Sequence, residues 1–155
     1  WVPTFPKARY LFVKNEYNYW KDIPESELAD DHAGFHDSIL PVFDAGLAEL
    51  VDTNHKLSDE IFLIPTPGHT PAHVSVLVRS GKEQAVITGD VFHHPCQIAR
   101  PNWMSFDTDK EQALISRYAF LEQFADTNTL VIGSHFASPA AGLLQRDSES
   151  FKLVY

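Results

Sequence analysis

Apolar and β-branched residues fall into short runs separated by turn residues. Ala8–Val13, Ile61–Ile64, His73–Arg79, Gln84–Thr88, Thr129–Ile132 and Phe151–Tyr155 read as strands. Ser80-Gly81-Lys82 supplies a hairpin turn between the third and fourth of these. Two stretches carry a longer period. Leu40, Phe43, Leu47 and Leu50 recur at helical spacing, and Pro41 is tolerated only in a first turn, so a helix is predicted from Asp37 or Ser38. Leu114, Tyr118, Leu121 and Ala125 form the apolar stripe of a second helix, behind the capping-box pattern Thr108-Asp109-Lys110-Glu111. A single helical turn over Asn15–Trp20, with Asn15 as cap, is also expected. Lys21–Gly34, Val51–Ser58 and Val91–Phe106 read as connectors. Strands and helices interleave, which predicts a layered α/β architecture, taken as one domain over residues 1–155.

The turns between strands carry the chemistry. Pro65-Thr66-Pro67-Gly68-His69-Thr70-Pro71-Ala72-His73 joins the strand ending at Ile64 to the next. Two prolines fix φ on either side of Gly68, and glycine supplies the positive φ that other residues resist. Such a turn holds His69 rigidly, as a metal ligand requires. Gly89-Asp90 follows the strand ending at Thr88, and Gly133-Ser134-His135 follows the strand ending at Ile132. Three ligand-type side chains, two imidazoles and a carboxylate, therefore each lie just beyond a strand. Zinc and similar ions take this donor set.

Composition narrows the partners. Twelve basic against 21 acidic side chains give a net charge of −9, which argues against a nucleic-acid backbone as partner. A small-molecule substrate is expected instead. No apolar run approaches the ~20 residues of a membrane span. The single cysteine, Cys96, excludes an internal disulfide and permits a reducing compartment such as the cytoplasm, without fixing localisation. Oligomeric state stays open, a homodimer included.

The set TPGHTPAH, TGD and GSH resembles the later metal-binding motifs of the metallo-β-lactamase-fold hydrolases, with spacings of 90 − 69 = 21 and 135 − 90 = 45 residues. FPKARYLFVKNEYNYW, GDVFHHPCQ and SHFASPAAG resemble the lactonase-like and organophosphate-hydrolase-like branch. The family's upstream HxHxDH motif has no counterpart; Asp31-His32-Ala33-Gly34-Phe35-His36-Asp37 has the wrong spacing. The chain is thus expected to be the C-terminal portion of a longer protein, a partial αββα sandwich with an exposed sheet edge or apolar face. The resemblance implies that His69 ligates a first metal, His135 a second, and Asp90 bridges both as the catalytic carboxylate. It implies two divalent ions, zinc foremost with iron or manganese compatible. It also implies metal-bound hydroxide acting on ester-like bonds of lactones, esters or phosphotriesters. Four further ligands would come from the upstream motif, so the chain by itself is expected to bind metal weakly and hydrolyse little. The competing reading is a non-catalytic scaffold or interaction module that keeps the fold.

Other residues are weighed beside these. His93 is a pocket-facing candidate, as is Trp103, with Phe136 a third wall; Phe92, Met104 and Phe106 are more simply core or loop residues. His73 is expected to be structural, and Ser134 and Cys96 are not read as nucleophiles. If position 72 needed positive φ, as the glycine of the family's TPGHTPGH would suit, Ala72 would be strained by roughly 1–2 kcal/mol. His32, His36 and His55 are read as solvated.

Overall fold

The computed structural model describes residues 1–24, 34–103 and 106–155. The predicted Lys21–Gly34 connector, with His32, and Met104 lie wholly or partly outside these. The chain forms two compact units, Trp1–Asp52 and Thr53–Tyr155.

In the first unit, strand β1 (Tyr10–Val13) runs straight into helix α1 (Lys14–Asp22). The helix begins one residue before the expected cap, and Val13 at the cap position offers no side-chain oxygen. A wide π-type turn, Phe35–Ile39, leads into α2 (Leu40–Asp44), and Pro41 does sit in its first turn. The helix expected to reach Leu50 stops early. Gly46 adopts φ +70°, its N–H bonds to the Phe43 carbonyl and that of Leu47 to the Val42 carbonyl. These two bonds make a Schellman stop. Leu47 and Leu50 share helical spacing with Phe43 by coincidence, since Ala48–Val51 is strand β2, paired in parallel with β1 from Tyr10↔Ala48 to Val13↔Val51. Tyr17 stacks on Phe43 with ring centroids 4.2 Å apart, and Phe12 packs on the same ring at 5.2 Å.

The second unit is a six-stranded sheet in sequence order: β3 (Ile61–Pro65), β4 (Val74–Ser80), β5 (Glu83–Ile87), β6 (Thr129–Ile132), β7 (Ala141–Asp147) and β8 (Ser150–Val154). All neighbours are antiparallel except β5 and β6. A parallel pair needs a long crossover. It is supplied by a short helix α3 (Cys96–Ala99) and the 15-residue helix α4 (Lys110–Phe124). The Val91–Phe106 connector therefore contains a helix, and β7 is a strand that the hydrophobic pattern did not mark, because Gln145, Arg146 and Asp147 make half of it polar.

One sheet face is dry. Leu77, Val86, Val131 and Leu144 pack with Phe120, Leu121 and Phe124 of α4 in the principal core. The helix buries Ala113, Ser116, Arg117, Phe120, Leu121 and Phe124, whereas Tyr118 is half exposed, so the stripe is rotated from the predicted one. Its cap is Asp109, whose carboxylate accepts from Gln112 N–H at 2.9 Å, not Thr108. On the opposite face, Ile87, Leu130 and Leu143 remain about 40% exposed. This apolar face matches the expectation from the sequence. Because β3, β5 and β6 all run the same way, the loops that follow them emerge at one rim of the sheet.

Candidate metal centre

The loop after β3 is closed by Thr66 N–H to the His73 carbonyl (2.9 Å) and Gly68 N–H to the Thr70 carbonyl (2.9 Å). Gly68 has φ +129°, and a Cβ there would lie 2.2 Å from the Ala113 nitrogen of α4. Only glycine lets the loop sit this close to the helix. Contact with the helix start fixes the loop's height. Asp109 N–H donates to the Gly68 carbonyl (2.9 Å), Thr108 N–H to that of His69 (3.0 Å), and Ser116 Oγ to that of Pro67 (2.6 Å). Ala72 is buried and has no positive φ, so the strain considered for it does not arise.

The loop after β5 is locked to the first by His73. Its Nε2 accepts the Asp90 backbone N–H at 2.8 Å. That fixes the neutral tautomer with the proton on Nδ1, which meets Thr66 Oγ1 at 2.8 Å. Thr66 Oγ1 in turn lies 3.2 Å from Ser75 Oγ, and Ser75 donates to the Thr88 carbonyl at 2.8 Å. Gly89 takes φ +58°, and a Cβ on it would fall 2.7 Å from His73 Nε2. The third loop is tied in through Thr88. Its N–H bonds to the Ile132 carbonyl (2.9 Å), and its Oγ1 accepts from Ser134 N–H (3.3 Å). Gly133 leaves room for the Phe136 ring, 2.2 Å from where a Cβ would be.

The result brings His69, Asp90 and His135 together. His135 Nε2 lies 2.8 Å from Asp90 Oδ1, and His69 Nε2 lies 3.6 Å from Asp90 Oδ2. His93 joins them. One ligand atom each from His69, Asp90 and His93 falls within a 4.8 Å group, and the His93 ring stands 4.6 Å from that of His69 and 4.9 Å from that of His135. Burial lowers the pKa of His93, and the neighbouring His69 imidazole pushes the same way. The Asp90 carboxylate pulls upward, His135 downward and Asp107 upward. The net effect favours a neutral imidazole with a free lone pair, the form that ligates metals.

The Phe106 ring stands 6.2 Å from that of His93. Phe136 is buried in the core with its ring against Gly133, so a role as a pocket wall finds no support in its placement. Phe92 is also fully buried. Trp103 and Phe106 are exposed, at 59% and 75%. His94 is exposed, and its Nδ1 accepts from Cys96 N–H at 3.1 Å.

Two residues the sequence reading passed over stand behind the cluster. Asp107 Oδ1 lies 3.4 Å from His69 Nδ1. Asp107 is held by Arg117 through a fork of 2.7 and 2.9 Å. The only signal available was an arginine at stripe spacing from Leu114 and Leu121, where a buried charge demands a partner.

The donor chemistry fits divalent metal: imidazole nitrogens and carboxylate oxygens converge at one rim, and the far nitrogen of His69 is sealed in protein beside a carboxylate. Comparison with known families decides the assignment. The family model described as "Metallo-beta-lactamase superfamily" matches residues 1–135. The chain belongs to the metallo-β-lactamase superfamily. Its mixed α/β architecture is a partial form of that fold. Similar solved structures include AidC, a dizinc quorum-quenching lactonase in complex with a product (26% identity, TM-score 0.78, 97% of this chain and 55% of that one). They also include the hydrolase AbOPH of the beta lactamase superfamily (22%, TM-score 0.80, 97% and 55%). A third is a probable metal-dependent hydrolase from Staphylococcus aureus (17%, TM-score 0.70, 97% and 53%). The last two identities speak to fold alone. Comparison with curated protein sequences gives no match. This metallo-β-lactamase chain spans about half the length of the solved structures it resembles.

Proposed function

We propose that His69, Asp90 and His135 are ligands of a dinuclear metal site in a hydrolase of ester-like bonds, with lactones, esters and phosphotriesters as the substrate class. One observation carries the reading. Two imidazoles and a carboxylate from three separate loops converge, with His135 Nε2 2.8 Å and His69 Nε2 3.6 Å from the two oxygens of Asp90. Asp90, with one oxygen toward each histidine, would hold both ions. Divalent ions bound there supply Lewis acidity and a water acidified toward neutral pH.

The chain's own residues aim and insulate that chemistry. Asp90 brings negative charge and is fixed by its backbone N–H on His73. His69 is fixed by the α4 start. His93, neutral and half buried between the two ligand histidines, is placed to ligate or to hydrogen-bond a substrate oxygen. Zinc is the favoured metal, since AidC is a dizinc lactonase; iron or manganese would satisfy the same donors. The reading is tested by metal content and by hydrolysis of lactone and phosphotriester panels, for the full-length protein and its Asp90→Asn variant. The expected result is metal-dependent turnover that falls at least about 100-fold in the variant. Full metal loading without turnover on any panel would favour a scaffold role.

A further inference from the structure

We propose that Asp107 and Arg117 form a buried positioning pair that fixes the tautomer and aim of His69 and, through the same guanidinium, anchors the Asp90 loop. The inference rests on the reading of His69 and Asp90 as metal ligands.

Arg117 is fully buried in α4, and the Asp107 side chain is 1% exposed. Taking both charges out of water is costly unless their hydrogen-bonding groups are used. Their contacts show where those groups go. Two guanidinium nitrogens grip both Asp107 oxygens, and the third, Nε, donates to the Val91 carbonyl at 2.7 Å. Val91 directly follows Asp90, so one arginine links the carboxylate facing His69 to the loop that carries Asp90.

His69 Nδ1 is the second half of the argument. Among the described residues it is the buried side-chain atom with no hydrogen-bond partner. Asp107 Oδ1 at 3.4 Å is close enough to attract a proton on that nitrogen but too long for a good hydrogen bond. Among the described residues no other atom partners it, and the nitrogen is sealed from water. A carboxylate oxygen beside it favours the Nδ1–H form. The lone pair is then left on Nε2, the atom 3.6 Å from Asp90. A ligand histidine whose far N–H faces a carboxylate is oriented and made more basic, and losing such a partner costs about 10–100-fold in metal affinity. Arg117 grips both Asp107 oxygens and prevents the carboxylate from swinging away from the ring.

The experiment uses the full-length protein loaded with zinc and again after chelation. Long-range proton–nitrogen correlations of the histidine rings read the His69 tautomer, and chelator competition reads zinc affinity. Variants are Asp107→Asn, Arg117→Lys and His69→Ala. In Asp107→Asn a neutral amide cannot serve both neighbours, because turning its oxygen to His69 turns its NH2 onto the guanidinium. The expected result is the Nδ1–H tautomer in wild type and loss of its dominance in Asp107→Asn. Zinc affinity falls about 10–100-fold with the fold retained by circular dichroism. Arg117→Lys, which keeps the charge without the fork, loses less of the affinity than Asp107→Asn. An Nε2–H tautomer in wild type, or unchanged tautomer and zinc affinity in Asp107→Asn, overturns the proposal. Should Asp107→Asn not fold, the wild-type tautomer and Arg117→Lys decide. Unchanged zinc binding in His69→Ala would instead sink the metal-site reading, and the tautomer would still judge the positioning pair.

Discussion

At the scale of single residues, the cluster depends on side chains that stand outside it. His73 carries the Asp90 N–H on Nε2 and passes a hydrogen-bond chain through Thr66 and Ser75 to the Thr88 carbonyl. His73→Ala should leave that N–H unpaired, costing about 1–3 kcal/mol in urea unfolding. It should also weaken zinc binding about 10–100-fold by chelator competition. Gly89→Ala attacks the same contact from the other side, since its Cβ would fall 2.7 Å from His73 Nε2 on a backbone at φ +58°. A loss of about 1–3 kcal/mol is expected, with the Asp90 loop displaced in a crystal structure. The sequence made His69, Asp90 and His135 legible because each follows a strand beside a glycine. It also gave a structural role to His73. It did not reveal Asp107 and Arg117, since their meeting depends on how α4 lies against the sheet, a tertiary fact with no local pattern.

At the scale of elements, strands were readable and helix limits less so. β3 to β6 match their apolar runs, and β4 and β6 bury alternate residues on one face. The Leu40–Leu50 pattern misled, because a glycine stop and a parallel strand pairing outweigh a shared spacing. The α4 stripe was misplaced because a buried arginine occupies an apolar face, which no hydrophobic count registers. Asp109, not Thr108, caps this helix, so Asp109→Ala should cost about 1 kcal/mol whereas Thr108→Ala should cost less. Thermal melts of both variants check this. The two sheet faces should also respond differently. Leu144→Ala, in the dry core, should lose about 2–5 kcal/mol, and Leu143→Ala, half exposed on the other face, much less.

At the scale of the molecule, the three loops meet because β3, β5 and β6 run in one direction, the crossover through α4 carrying the chain to the opposite rim so that β6 can bring it back. A net charge of −9 suits cation binding and opposes polyanions. Among the described residues no helix is long and apolar enough to cross a membrane. If cations bind the folded site and not the unfolded chain, zinc at 100 times its dissociation constant should add about 2.7 kcal/mol to stability, and a chelator should remove it. The most direct test is anomalous X-ray scattering from a zinc-soaked crystal. A zinc peak about 2.0–2.2 Å from His69 Nε2, an Asp90 oxygen or His135 Nε2 is the expected result. Featureless anomalous density at this rim, with zinc bound elsewhere on the protein, would contradict the account.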